Sequence, residues 1–236
     1  MSSIVRLGLA VSLLCVLPSS ASGGAGRPAA PVVTHGVVVG DVTARSAVLW
    51  ARGDRAATLN VTLSGGSHGP IERVAVRPED DYTGKTFLTG LHPATTYDYR
   101  VWFSLGAPGV GRGPSVRGSF RTPPSEDDAA PVRLAFGGDV AGQNVCRDVA
   151  EGFPIMDTIR GWRPDVFVGL GDMIYADNAC ESTGRYGNAQ IGGVGIATDL
   201  PGFWAHWRYN RADGWSQRLL GRTSYVGVWD LSLIHI

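Results

Sequence analysis

The sequence predicts an α+β chain: an antiparallel β-sandwich over residues 32–122, a linker at 123–130, and the start of an α/β domain over 131–236. Three observations predict it. Short β-prone runs separated by Gly-, Asp- and Pro-rich stretches fill 32–122, a spacing that suits a sandwich. Arg121 to Ala130, with Pro123, Pro124, Asp127 and Asp128, has the composition of a connection. Beyond it an apolar run, a helical segment and a second apolar run follow within about fifty residues, which is the pattern of a βαβ unit.

The N-terminus reads as a secretory signal over residues 1–21. Arg6 supplies the positive start, Leu7 to Leu17 an apolar core, and Ser19-Ser20-Ala21 a small-x-small cleavage site. That core is short for a bilayer span, so the expectation is export to the periplasm, cell surface or exterior, with an uncleaved anchor as the alternative. No twin arginine is present, and Leu14 before Cys15 argues against a lipoprotein site. Residues 22–31, rich in Gly, Ala and Pro, form a flexible lead-in. Lys and Arg number 21 and Asp and Glu number 21, so charge gives no reason to expect a nucleic-acid or anionic-membrane partner.

Within 32–122 the expected strands are Val37–Val39, Ser46–Trp50, Leu59–Leu63, Val74–Val76, Tyr97–Phe103 and Val116–Phe120. Three features there invite a functional reading. Arg52-Gly53-Asp54 spells an adhesion tripeptide and is expected in a loop. Asn60-Val61-Thr62 is a glycosylation pattern inside an expected strand. Gly106 to Gly113 is glycine-rich but lacks the Lys-Ser/Thr ending of a phosphate loop, so it reads as a hairpin loop.

In the second half, Val132–Phe136 and Val166–Leu170 are the two strands, and Pro154–Trp162 is the helix between them, with Ile155, Ile159 and Trp162 near one face. Each strand ends in glycine followed by an acid, Gly138-Asp139 and Gly171-Asp172. Parallel strands joined right-handedly lie about 4.8 Å apart and place ligands at their carboxyl ends. Asp139 and Asp172 can therefore converge, and two carboxylates so placed call for a cation between them. The plainer reading is that each aspartate caps the following turn. A nucleotide-binding reading fails, because Gly137-Gly138-Asp139 puts an acid where a pyrophosphate needs backbone amides.

Gly171-Asp172-Met173-Ile174-Tyr175-Ala176-Asp177 resembles the second block of the metallophosphoesterases, and more closely of their PhoD-like (alkaline phosphatase D) branch. That resemblance implies Asp172 as a ligand bridging two metals, Tyr175 as a phenolate ligand, and Asp139 as the first ligand acid. Ala141 stands where the wider family pattern has a histidine. The resemblance further implies a phosphate-ester substrate, iron with calcium as the two metal ions, a metal-activated water, and hydrolysis of phosphomonoesters or phosphodiesters. Phe203 to Asp213 is similar to the family's helical segment after that block. Ser46-Ala47-Val48-Leu49-Trp50 resembles the second strand of fibronectin type III domains, which buries a tryptophan, and Leu91 to Val101 their tyrosine corner, with Tyr97 bonding back to the loop. A fibronectin type III-like domain before a PhoD-like catalytic domain is the family's order.

With the signal removed, Cys146 and Cys180 remain, one after each acid-bearing turn. In an oxidising compartment a disulfide is the first expectation; metal ligation by Cys146 is the alternative, since the family uses cysteine nearby. Glu181 to Ala197 reads as a long loop over the site, and helix resumes over Leu200–Leu220, with His206 as packing or ligand and Arg208 and Arg211 as salt-bridge formers or phosphate contacts. Tyr225 to Asp230 looks like the strand into the family's third block, which would bring a ligand and a histidine. Leu231 to Ile236 departs from it, so the sequence reads as an incomplete enzyme whose own activity is in doubt, with an exported adhesion protein as the competing reading.

Overall fold

Period-two burial builds the first half. In the computed structural model, which describes residues 29–64, 73–106 and 111–228, the strands are β1 (Val33–Gly40), β2 (Ser46–Gly53), β3 (Ala57–Ser64), β4 (Val74–Val76), β5 (Thr83–Thr89), β6 (Thr96–Ser104) and β7 (Val116–Arg121). The expected signal segment, residues 22–28 of the lead-in, and everything from Trp229 onward lie outside the described residues. β5, β2 and β1 form one antiparallel layer, and β4, β3, β6 and β7 the other. Leu49, Leu59, Val61, Val101, Phe103 and Phe120 fill the space between them. Tyr97 is fully buried in that core, and its hydroxyl accepts the His92 N–H at 2.7 Å. The tyrosine corner is therefore present.

Trp50 is a correction. Along β2 Ala47, Leu49 and Ala51 face the sandwich core, so Val48, Trp50 and Arg52 must point out of its opposite face. Trp50 packs instead against the second hydrophobic cluster, the one that contains Phe167, Met156 and Leu219. The adhesion tripeptide is a second correction: Arg52 and Gly53 are the end of β2, not a loop, and the Arg52 side chain is occupied by Asp81. Asn60 is buried, its amide donating to Thr58 O at 2.8 Å and Ser104 Oγ at 3.0 Å, so the folded chain does not present it as a glycosylation site.

The second half contains β8 (Leu134–Gly137), α1 (Pro154–Gly161), β9 (Val166–Gly169), α2 (Leu200–Arg211), α3 (Gly214–Leu220) and β10 (Ser224–Gly227). β8 and β9 are parallel, with Leu134 opposite Val166 and Gly137 opposite Gly169, as the βαβ reading requires. The helix expected over 200–220 is two helices. Asp213 breaks it: its carboxylate accepts the Ser216 N–H at 2.7 Å as the cap of α3 and the Phe153 N–H at 3.0 Å, which fixes the start of α1 as well.

The two halves share a sheet. β10 pairs with β9 on one side and with β1 on the other, both parallel, giving the order β5-β2-β1-β10-β9-β8. β1 serves both cores: Val37 and Val39 point into the sandwich and Val38 into the second cluster. Tyr99, buried in the sandwich, donates to Gly221 O at 2.8 Å beyond α3. Any side chain on Gly118 would meet both that carbonyl and the Tyr99 hydroxyl, so glycine is required there for close approach. Among the described residues no helix is long and apolar enough to cross a membrane.

Candidate active site

Two of the three expected ligands sit where parallel strands end. Asp139 follows β8 by two residues and Asp172 follows β9 by three, so both lie on the carboxyl edge of adjacent strands. Both residues take left-handed backbone, φ 58° and 44°, a conformation that aspartate tolerates better than most side chains but still at a cost. The two turns are stitched together: Val140 N–H donates to Asp172 O at 2.9 Å, and Leu170 N–H to Gly137 O at 2.9 Å. A Cβ on Gly138 would stand 2.7 Å from Gly171 O, so a side chain there would force the turns apart.

Tyr175 closes the group. Its hydroxyl donates to Asp139 Oδ1 and also interacts with Asp172. The ring lies against Gly142, where a Cβ would come within 2.7 Å of it. The hydrogen bond to Asp139, then burial and the bond to Asp172, push the phenol above its ordinary pKa. Without a cation it is a proton donor shared by two carboxylates. Two carboxylates and a phenol oxygen converging on one spot suit a hard, highly charged cation, which would take the place of that shared proton. As a donor set they would make up only one side of a coordination shell; among the described residues no group of three His, Cys, Asp or Glu side chains gathers.

Cys146 and Cys180 form a disulfide, so Cys146 is not a free thiolate ligand. The bond ties the segment after Asp139 to the segment after Asp172. Buried Gln190 reinforces it: Oε1 accepts the Cys146 N–H at 2.9 Å, and Nε2 donates to Asn144 Oδ1 at 2.6 Å and to Glu181 O at 2.9 Å. The long loop is thus packed onto the acid turns through the bridges Cys180–Val194 and Asp148–Gln190. His206 is buried and its Nε2 pairs with Gly195 O at 2.7 Å, which assigns it to packing and not to ligation.

The residue that sequence reasoning missed is Asn210. Buried on α2, its amide donates to Met173 O at 2.8 Å and reaches Val140 O at 3.4 Å. It holds the residue next to Asp172 and the residue next to Asp139 from one side chain. The available signal was an amide amid the aromatic and basic residues of Trp204 to Arg211.

Asp172 also lines a cleft of about 540 Å³ between the outer face of β2 and α2. Trp50, Trp204, Trp207 and Tyr225 give it aromatic walls, and Arg52, Lys85, Arg208 and Arg211 reach it. Asp81 engages two of these cations: Arg52 binds both its oxygens, at 2.9 and 2.8 Å, and Arg208 binds Oδ1 at 2.8 Å. Burial alone would raise the Asp81 pKa, but these two guanidiniums hold it below the ordinary carboxylate range. Arg208 is thereby a salt-bridge former across the two halves.

Residues 19–124 match the family model of the PhoD-like phosphatase N-terminal domain. The chain carries a PhoD-like N-terminal domain. A solved structure of PhoD is similar over 84% of this chain and 39% of its own, with 20% identity and a TM-score of 0.67. The purple acid phosphatase PPD1 from yellow lupin (Lupinus luteus) seeds is similar over 86% of this chain and 35% of its own, with 13% identity and a TM-score of 0.51. The chain thus spans under two-fifths of the length of either solved phosphatase, and these likenesses establish its α+β fold across both halves. A sequence comparison with curated proteins finds no match.

Proposed function

We propose that this PhoD-like chain belongs to an exported, metal-dependent phosphoesterase, and that its described residues supply one side of the metal site. The observation that carries the reading is the convergence of Asp139, Asp172 and Tyr175 on the carboxyl edge of two parallel strands. Asp172 would bridge two cations, with Tyr175 and Asp139 as further oxygen ligands. Iron with calcium is the pair that the resemblance suggests, and a donor set made of hard oxygens accommodates both. Bound there, the metal ions would supply charge to hold phosphoryl oxygens and to activate water.

The chain's own residues do the positioning. Gly138 and Gly171 bring the turns together, Asn210 fixes the carbonyls beside both acids, and the Cys146–Cys180 bridge restrains the segments beyond them. The disulfide also supports export, since such bonds persist in oxidising compartments. Phosphomonoesters or phosphodiesters are the proposed substrates.

Metal content by mass spectrometry on the purified chain, beside an Asp172→Ala variant, tests this. Iron or calcium near one ion per chain, lost in the variant, is expected. Equal metal in both proteins, or none in either, overturns the assignment of Asp172.

A further inference from the structure

The cleft beside Asp172 joins two features that the metal ligands do not explain. Its walls are indole and phenol rings contributed by both halves: Trp50 from the outer face of β2, Trp204 and Trp207 from α2, and Tyr225 from β10. Acids and bases balance in number along its wall, Asp41, Asp80, Asp81 and Asp172 against Arg52, Lys85, Arg208 and Arg211, but among the described residues they are not all joined in ion pairs. Asp81 is committed to Arg52 and Arg208, whereas Arg211 forms no ion pair among the described residues and instead lies against the Trp207 and Tyr225 rings, 5.9 and 5.3 Å from their centroids. Burial lowers the Arg211 pKa, and a buried guanidinium beside aromatic rings without an ion pair favours an anion as its partner. The cleft opens at the carboxyl ends of β1, β9 and β10, where parallel strands place ligands.

We propose that this cleft binds the organic part of a phosphate ester whose alcohol is flat and aromatic, with Arg211 contacting the anion and Trp50 and Trp207 flanking the ring. The inference rests on the phosphoesterase reading only for where phosphorus sits, near Asp172. It assigns a specificity role to the N-terminal sandwich, since Trp50 comes from β2. The volume of about 540 Å³ accommodates a substituted aryl or heteroaryl group. The rings and the cation together select against esters of small alkyl alcohols, which carry the same charge but no π face.

The test uses the full chain and three probes that it cannot hydrolyse: phenylphosphonate, methylphosphonate and inorganic phosphate. Binding is followed by calorimetry and by tryptophan fluorescence, in chelator and again with iron and calcium added. Phenylphosphonate is expected to bind about ten-fold more tightly than methylphosphonate in both conditions, the scale of one or two aromatic contacts. Trp50→Ala is expected to abolish that preference while leaving methylphosphonate affinity unchanged. Arg211→Met is expected to weaken all three probes, and Arg211→Lys to restore part of the loss. Circular dichroism and the melting curve check that each variant folds. If an Arg211 variant does not fold, the Trp50→Ala preference alone decides the proposal.

Equal affinity for the two phosphonates, or a preference untouched by Trp50→Ala, overturns the proposal. The two readings fail separately. Metal bound through Asp172 with no aryl preference removes this inference and keeps the phosphoesterase. An aryl preference dependent on Trp50 in a chain that loads no metal keeps the cleft and removes the metal site.

Discussion

Asn210 is the residue on which the geometry of the acids depends. Its amide satisfies Met173 O and approaches Val140 O, so Asn210→Leu would leave part-buried carbonyls to water or unpaired, at a cost of about 1 kcal/mol, the low end for an unsatisfied group. The functional effect should exceed the stability effect, because groups that orient ligands typically tune metal affinity by about 10- to 100-fold. Titration of iron or calcium into the variant, with its melting temperature measured alongside, is the check; unchanged affinity would remove Asn210 from the site. His35 predicts a pH effect. Burial, then the charges of Arg52 and Arg208, lower its pKa to about 4. Between about 6.5 and 4 the unfolded chain binds a proton that the folded chain refuses, so stability falls as pH drops through that window. Urea unfolding of the wild type should show this slope, and His35→Gln should flatten it. A variant as pH-sensitive as the wild type would assign the slope to other groups.

At the scale of elements, the disulfide is the strongest single restraint on the two acid turns. Cys146 and Cys180 are 34 residues apart, and closing a loop of that length is worth about 2–4 kcal/mol. Cys146→Ser with Cys180→Ser should lower stability by that order and weaken metal binding; thermal melting with and without reductant measures the first effect. An unchanged melting temperature on reduction would contradict it. Elements also show where the sequence was readable. The βαβ unit and the placing of Asp139 and Asp172 on one sheet edge were legible because strand–glycine–acid is a local pattern, whereas the tyrosine corner and the expected place of Tyr175 came from resemblance. β5 was not legible, because its inward residues are Gly84, Thr86 and Leu88 while Phe87 points to solvent, which inverts the usual alternation. Trp50 was misplaced because resemblance was followed where the parity of Leu49 and Ala51 already put it on the other face. The clamps made by Asn210 and Gln190 were illegible in principle, since their partners are backbone groups that only the tertiary fold brings near.

For the whole molecule, among the described residues the outer face of β8 and β10 is uncovered. Ala135, Phe167 and Tyr225 face the helical cluster, so Leu134, Phe136 and Val226 face outward, exposed by 57%, 65% and 38%. Parallel sheets are ordinarily covered on both faces, and an apolar patch of this kind beside an edge strand favours association. The chain should therefore self-associate at high concentration, and Phe136→Lys should reduce this with little change in stability, as light scattering after gel filtration would show. A monomeric wild type would contradict it.

The ladder between β1 and β10 sets the order of events when the chain first folds. Val39 and Ser224 are neighbours in space but about 185 residues apart along the polypeptide. Bringing them together carries a loop-closure entropy of about 5 kcal/mol, and contacts of such separation slow folding. On a ribosome releasing the chain from its N-terminus, β2 and β5 are available to β1 early, but the parallel partner of β1 emerges only after both acid turns and α2 have been made. Val38 must wait exposed until then.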